Sequence, residues 1–250
     1  MIFKKKILLV FTGLVGLVCA QERQKEKISF PMIGTGFGVI QPIGYLSGRF
    51  GTFMQAGFDV SMLIKSRFVI GLDFKYAFTS SVKEDVLALI ETDEGFVINN
   101  EGNPADIRIT GRMWNLVSDF LFLIPWGAIN NRSGLLAGAG GGYVEHRIKF
   151  LDYAQIVAAL DHSMYKGYDR LSGGLIIKEN LGYQFISNNR LTNIKILFSL
   201  SQMLTRNYRG FNYDTGKPDN TLQFNQCFHA ALIWILPLYK KTAEGIYYTD

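Results

Sequence analysis

The chain has 250 residues, 48% of them hydrophobic and 14% aromatic, with 26 Gly, 6 Pro, 2 Cys and a formal net charge of +5. No apolar stretch approaches the roughly 20 residues that a membrane-spanning helix needs. Three Lys and no acid lie in residues 1–20, so without them the basic excess falls to two, and charge gives no argument for nucleic-acid binding.

Residues 1–20 read as a signal peptide. Lys4, Lys5 and Lys6 form a positive n-region and Ile7 to Val18 an apolar h-region, and Val18-Cys19-Ala20 puts small residues before Gln21. Lipidation at Cys19 is the rival reading, but Gly16-Leu17-Val18 is a poor lipobox. With cleavage after Ala20 only Cys227 remains, and no intrachain disulfide can form.

Residues 21–250 alternate with a period of two. Strands are predicted at about 32–43, 50–62, 68–79, 107–124, 134–148, 171–186, 192–207 and 222–236. The clearest is 68–79: Phe68, Ile70, Leu72, Phe74, Tyr76 and Phe78 share one face, against Val69, Gly71, Asp73, Lys75, Ala77 and Thr79. The first and fifth strands are rich in Gly, which marks a sharp bend or the close approach of another segment. The fourth shifts phase near Trp114, so a bulge or a mis-set strand boundary is expected there. These segments exceed the five or six residues typical of soluble strands and suit a tilted membrane strand of about 9–11 residues with extensions. The connections alternate in length, with 64–67, 125–133 and 187–191 short and 80–106, 149–170 and 208–221 long. An even-stranded membrane barrel with periplasmic termini sorts its turns and loops in this way. Within the long loops, Ser81-Val82-Lys83-Glu84 predicts a capped helix over 84–91, and 152–160 reads as a second helix. Trp114, Trp126, Tyr143, Tyr183, Tyr208, Trp234 and Tyr239 lie near strand ends, as interfacial girdles require.

Segments such as Tyr165-Lys166-Gly167-Tyr168-Asp169-Arg170-Leu171 and Asn180-Leu181-Gly182-Tyr183-Gln184-Phe185, with the Tyr247-Tyr248 ending, give the chain a resemblance to the small eight-stranded outer-membrane β-barrel proteins of Bacteroidota. The resemblance covers nearly all of residues 28–250 and implies an all-β fold: an eight-stranded antiparallel transmembrane barrel with long extracellular loops, located in the cell outer membrane. It brings no catalytic motif. One departure is the polar tail 237–250 after the last strand, where such barrels commonly end on an aromatic residue.

An eight-stranded barrel is filled by its own side chains. The inward set is predicted to include Asp59, Asp73, Lys75, Asn115, Asp119, Lys178, Asn180, Lys195, Asn225 and His229; the expected lumen network is carried by Asp59, Asp73, Lys75, Asp119, Lys178, Lys195 and His229. Both signs are present, so internal pairing is the reading. No catalytic residue, metal ligand set or cofactor is assigned: no CxxC or HExxH occurs, and Gly138-x-Gly140-Gly141-Gly142 sits in a strand rather than before a helix. The expected role is a structural or interaction subunit of a larger envelope complex for secretion or outer-membrane biogenesis. Its partners are outer-membrane lipid and other envelope proteins, not nucleic acid. Two readings compete: an outer-membrane enzyme acting on lipid or peptide through His146 (beside Glu145 and Arg147) or His162 (between Asp161 and Ser163), and a secreted lipocalin-like ligand-binding barrel.

Overall fold

Period-two alternation with one greasy face produces sheet, and a sheet greasy on its outer side closes on itself only where lipid replaces water. The computed structural model describes residues 28–105, 107–126, 132–152, 157, 160, 165–187 and 192–238. Eight long strands are present: β1 (Phe30–Ile43), β2 (Phe53–Ile64), β3 (Phe68–Thr79), β4 (Arg108–Ile124), β5 (Gly134–Leu151), β6 (Ser172–Ile186), β7 (Asn193–Asn207) and β10 (Gln223–Pro237). They form one closed antiparallel barrel, sealed where β1 pairs with β10 from Met32↔Pro237 to Ile43↔Gln226. A two-stranded hairpin, β8 (Gly210–Asn212) with β9 (Lys217–Asp219), stands in the connection from β7 to β10. A five-residue helix, α1 (Tyr45–Arg49), follows β1, with Gly44 at φ 68 supplying the turn into it.

The outer wall is apolar. Phe37, Phe58, Val60, Leu72, Phe120, Leu175, Leu181 and Phe198 all point outward and are exposed. Water would penalise such a surface heavily, whereas hydrocarbon would not. Aromatic groups mark its edges. Tyr143 and Tyr208 share a hydroxyl–hydroxyl bond of 2.8 Å, and Trp114 Nε1 donates to Glu145 at 3.1 Å, all toward the end bearing the long loops. At the short-turn end Tyr183 donates to the Trp126 carbonyl at 3.3 Å, and Trp234 is exposed.

Three local expectations need correction. The strand expected from residue 50 begins at Phe53, because Phe50 turns inward to bridge Val82 and stack edge-on against His146. No bulge interrupts β4 at Trp114: its pairing runs unbroken from Phe68↔Phe122 to Thr79↔Gly111 on one side and through all seventeen residues on the other. The apparent phase shift arises because inward Met113, Val117, Leu121 and Leu123 are apolar while outward Arg112 and Ser118 are polar. The helix expected over 84–91 is a single turn at Leu87–Glu91, since Val86 and Leu87 are drawn down into the barrel mouth. The signal peptide, Cys19, His162, Tyr239 and the tail beyond Leu238 lie outside the described residues, as does most of the helix expected over 152–160.

Candidate functional site: a layered lumen and a cross-linked mouth

The barrel interior is stacked in three layers. At the loop end, Ile40, Phe53, Ala77, Met113, Val117, Val144, Ile148, Ile176 and Met203 pack with Leu46, Phe50, Val86, Leu87 and Val97 from the connections above. At the turn end Phe30, Met32, Leu63, Val69, Leu121, Leu123, Leu136, Ile186, Ile233 and Ile235 close the floor. Between them lies a polar layer built by alternate residues of the strands.

Each charged member of that layer has a defined position. Asp73, inward from β3, accepts from Lys75 Nζ at 2.6 Å and from Lys178 Nζ of β6 at 3.2 Å. Lys178 also donates to Asn115 Oδ1 at 3.1 Å. Lys195 of β7 donates to Asp59 of β2 at 3.0 Å, and Ser61 donates to the same carboxylate at 3.1 Å. Asn180 donates to Asp119 at 2.9 Å and accepts from Ser199 at 2.6 Å. Asp59, Asp73 and Asp119 thus face Lys75, Lys178 and Lys195, three charges of each sign. Low dielectric demands such pairing, because an uncompensated charge there is strongly unfavourable. Asp119 is the least enclosed of the six, half-buried where the others are buried.

His229 stands apart from the ion pairs. Its Nε2 lies 2.8 Å from Ser201 Oγ, a contact the alternation pattern alone does not reveal, since the two residues are 28 apart in sequence. Ser201 also donates to the Cys227 carbonyl at 3.2 Å, and among the described residues His229 Nδ1 has no hydrogen-bond partner. Nothing orients this imidazole as a general base requires, and both residues are buried between the two apolar layers. His146 sits higher, fully buried against Phe50, with neither ring nitrogen hydrogen-bonded. It therefore lies inside the barrel mouth, and among the described residues no hydroxyl or carboxylate is hydrogen-bonded to its ring. Three or more His, Cys, Asp or Glu side chains placed to hold a metal ion do not occur among the described residues. A space within the polar layer, lined among others by Asp59, Asp73, Asp119, Lys75 and Lys195, is about 20 Å³, room for about one water molecule.

Glycine makes the layer possible. A Cβ on Gly140 would stand 2.1 Å from Asp119 Oδ1, and one on Gly34 2.3 Å from Asp59 Oδ1. Gly34 of β1 and Gly140 of β5 leave the clearance that these two carboxylates occupy.

Above the ceiling the four connections at that end of the barrel are tied together. Glu84, between β3 and β4, accepts from Arg49 of α1 at 2.7 Å and from Arg170, just before β6, at 2.8 Å. Arg170 also pairs with Asp214 of the β8–β9 hairpin, and Arg209 with the fully buried Asp169, each at 2.5 Å. Asp219 accepts from both Asn207 and Asn212. Burial pushes the Asp219 carboxyl up, but these amide bonds and the Arg170 charge outweigh it and leave it below the usual carboxylate range. One chain of charges therefore spans all four loops. It escapes sequence reading because its members are dispersed through the segments with the least pattern.

A closed antiparallel barrel with an apolar outer wall, aromatic edges and a polar filled interior is a transmembrane barrel of the outer-membrane type. No protein-family profile and no curated protein matches the chain. Among solved structures, it is similar to Ail, the attachment invasion locus protein of Yersinia pestis, with 12% identity and a TM-score of 0.39 over 85% of this chain and 99% of that one. The N-terminal β-barrel domain of Pseudomonas aeruginosa OprF matches at 10% identity and a TM-score of 0.37, over 85% and 100% of the two chains. Neisserial surface protein A matches at 8% identity and a TM-score of 0.37, over 83% and 97%.

Proposed function

We propose that this protein is an outer-membrane anchor and interaction subunit: a barrel that conducts nothing and holds an ordered extracellular platform for other envelope proteins. The observation that carries this reading is the sealed lumen beneath a mouth whose four loops are joined by the Arg49–Glu84–Arg170–Asp214 chain. A pore needs a continuous aqueous path, and here apolar layers lie above and below the ion pairs. A binding platform needs fixed loops that display contact residues. The loops expose Leu89, Phe96 and Ile98 in one connection and Phe211 and Tyr213 in another, and apolar side chains held out into water mark contact surfaces. The sorting of short turns to one end and long loops to the other supports a periplasmic side at the turn end and a platform outside the cell.

The test is extraction of native outer membranes in mild detergent, followed by mass measurement of the particle and quantitation of co-purifying proteins. A stoichiometric partner displaced by Phe96→Ser with Phe211→Ser is the expected result. A lone barrel that retains only lipid overturns the subunit reading. Among the described residues no nucleophile or acid is hydrogen-bonded to His146, and no second function is advanced.

A further inference from the structure

Among the described residues, the outer wall carries one charge at a depth where a lipid-facing surface should have none. Glu179 points outward from β6, seven residues from each end of Ser172–Ile186, and is exposed. Its outward neighbours on the same strand are Leu175, Ile177, Leu181 and Tyr183, the first and third exposed by 67% and 61%. Leu175 is level with Tyr143 of the loop-end aromatic edge, and Tyr183 belongs to the turn-end edge. Four residues separate Glu179 from either level, about 13 Å along the strand at the usual rise. The carboxylate thus sits at the middle of the apolar belt. Among the described residues, Arg112, Glu145, Arg147, Lys149 and Arg206, also outward, gather toward the loop end, within reach of headgroups and water. Glu179 has no such escape. Among the described residues it has no cationic partner, and it accepts one long bond, 3.4 Å from Gln202 Nε2 of β7. Gln226 of β10 lies beside Gln202 in register, extending the polar row.

The surface next to it is shaped for close approach. Opposite Ile177, Glu179 and Leu181, β5 presents Gly141, Ala139 and Ala137. On the far side β4 presents Ser118, Phe120 and Phe122. Small residues flanked by larger ones leave a shallow trough along β5, with the carboxylate on its rim. Hydrocarbon gains nothing from a carboxylate and two amides at that depth, and an ionisable side chain facing lipid needs a partner. A second copy of this chain would bring another acid and more amides to the same row, not a cation.

We infer that the β4–β5–β6 wall around Glu179 is an intramembrane docking face for a different outer-membrane protein, one presenting a Lys or Arg from its own lipid-facing side at mid-belt depth. The inference rests on the subunit reading and assigns it a second contact surface, within the bilayer and separate from the loops. The ion pair forms between two walls that exclude lipid, and the trough lets the partner's side chains come close to the β5 backbone, as small residues do at membrane interfaces.

The experiment places a photo-cross-linking residue at Leu181 of the full-length protein in its native membrane. The expected product is a discrete adduct with a second outer-membrane protein, the cross-linked peptide carrying a Lys or Arg within a membrane-spanning strand. Glu179→Leu should reduce that adduct by about tenfold or more, the scale of losing one charge pair at an interface. The variant barrel should still show its heat-dependent shift in electrophoretic mobility, which separates lost docking from lost folding. Adducts with lipid alone, adducts with a second copy, or a partner adduct indifferent to Glu179→Leu each overturn the inference. A native complex that survives Glu179→Leu without any adduct from position 181 would leave the subunit reading standing on the loops and sink this face alone.

Discussion

Replacing Asp73 by Leu is the sharpest probe of the lumen. Asp73 pairs with two buried ammonium groups, Lys75 at 2.6 Å and Lys178 at 3.2 Å, whose side chains are only 7% and 4% exposed. Removing one member of a buried pair costs about 3–5 kcal/mol, because the surviving charge stays desolvated without compensation. Two cations are orphaned here, but Lys178 keeps Asn115 at 3.1 Å, so the loss should fall near about 4–5 kcal/mol rather than twice the single-pair figure. The triple variant Asp73→Leu, Lys75→Met, Lys178→Met should recover most of that loss, since apolar replacement of a complete ion cluster is often neutral or better. Urea unfolding of the refolded barrel in detergent, followed by tryptophan fluorescence and by the electrophoretic shift, measures both. If Asp73→Leu unfolds within about 1 kcal/mol of the parent, the size of an exposed ion pair, the layer is hydrated and the reasoning from burial fails.

Other expectations follow from the same structure. Purified protein in planar bilayers should give no steady ionic conductance at neutral pH; sustained open-channel currents would contradict the two apolar layers. Arg170→Ala cuts the link between Glu84 and Asp214, and limited proteolysis should then cleave the connections before β4 and after β7 several-fold faster while the barrel stays intact. Gly140→Val drives a side chain into the Asp119 carboxylate, and the yield of heat-modifiable barrel should collapse, with Gly141→Ala, where the nearest atom is 3.9 Å away, as the benign control. Because the Asp219 carboxyl is held low, its contribution is complete above the ordinary carboxylate pKa of about 3.9 and is lost as pH falls through the depressed value. Hydrogen exchange in the β8–β9 hairpin should therefore accelerate only at strongly acidic pH, and Asn212→Ala should move that onset upward.

The strands were legible because each keeps a strict two-residue period over a long run. The predicted 68–79 coincides with β3, and the predicted 134–148 differs from β5 only by three residues at its end. The period says which residues share a face and nothing about depth along the barrel. The inward face of β4 reads Met113, Asn115, Val117, Asp119, Leu121, so apolar and polar residues succeed one another on one side and imitate a phase change. Pairings such as Lys195 with Asp59, 136 residues apart, depend on closure of the whole barrel and leave no local trace. The mouth was the least readable region. Ser81 to Glu84 has the spacing of a capping box, but the Val82 bridge to Phe50 and the burial of Val86 and Leu87 hold the segment open, so tertiary packing overrode local preference.

The ion pairs of the middle layer join strands that are made far apart in time. Asp73 of the third strand waits for Lys178 of the sixth, and Asp59 of the second for Lys195 of the seventh. Until the curl of sheet brings them face to face, each carboxylate and ammonium must remain in contact with water or bear the cost of entering lipid alone. A half-built sheet with its inner face toward hydrocarbon is consequently penalised at several points at once, and the finished cylinder at none. The same residues that fill the cylinder act as a proofreading device for its assembly, favouring all eight strands or none.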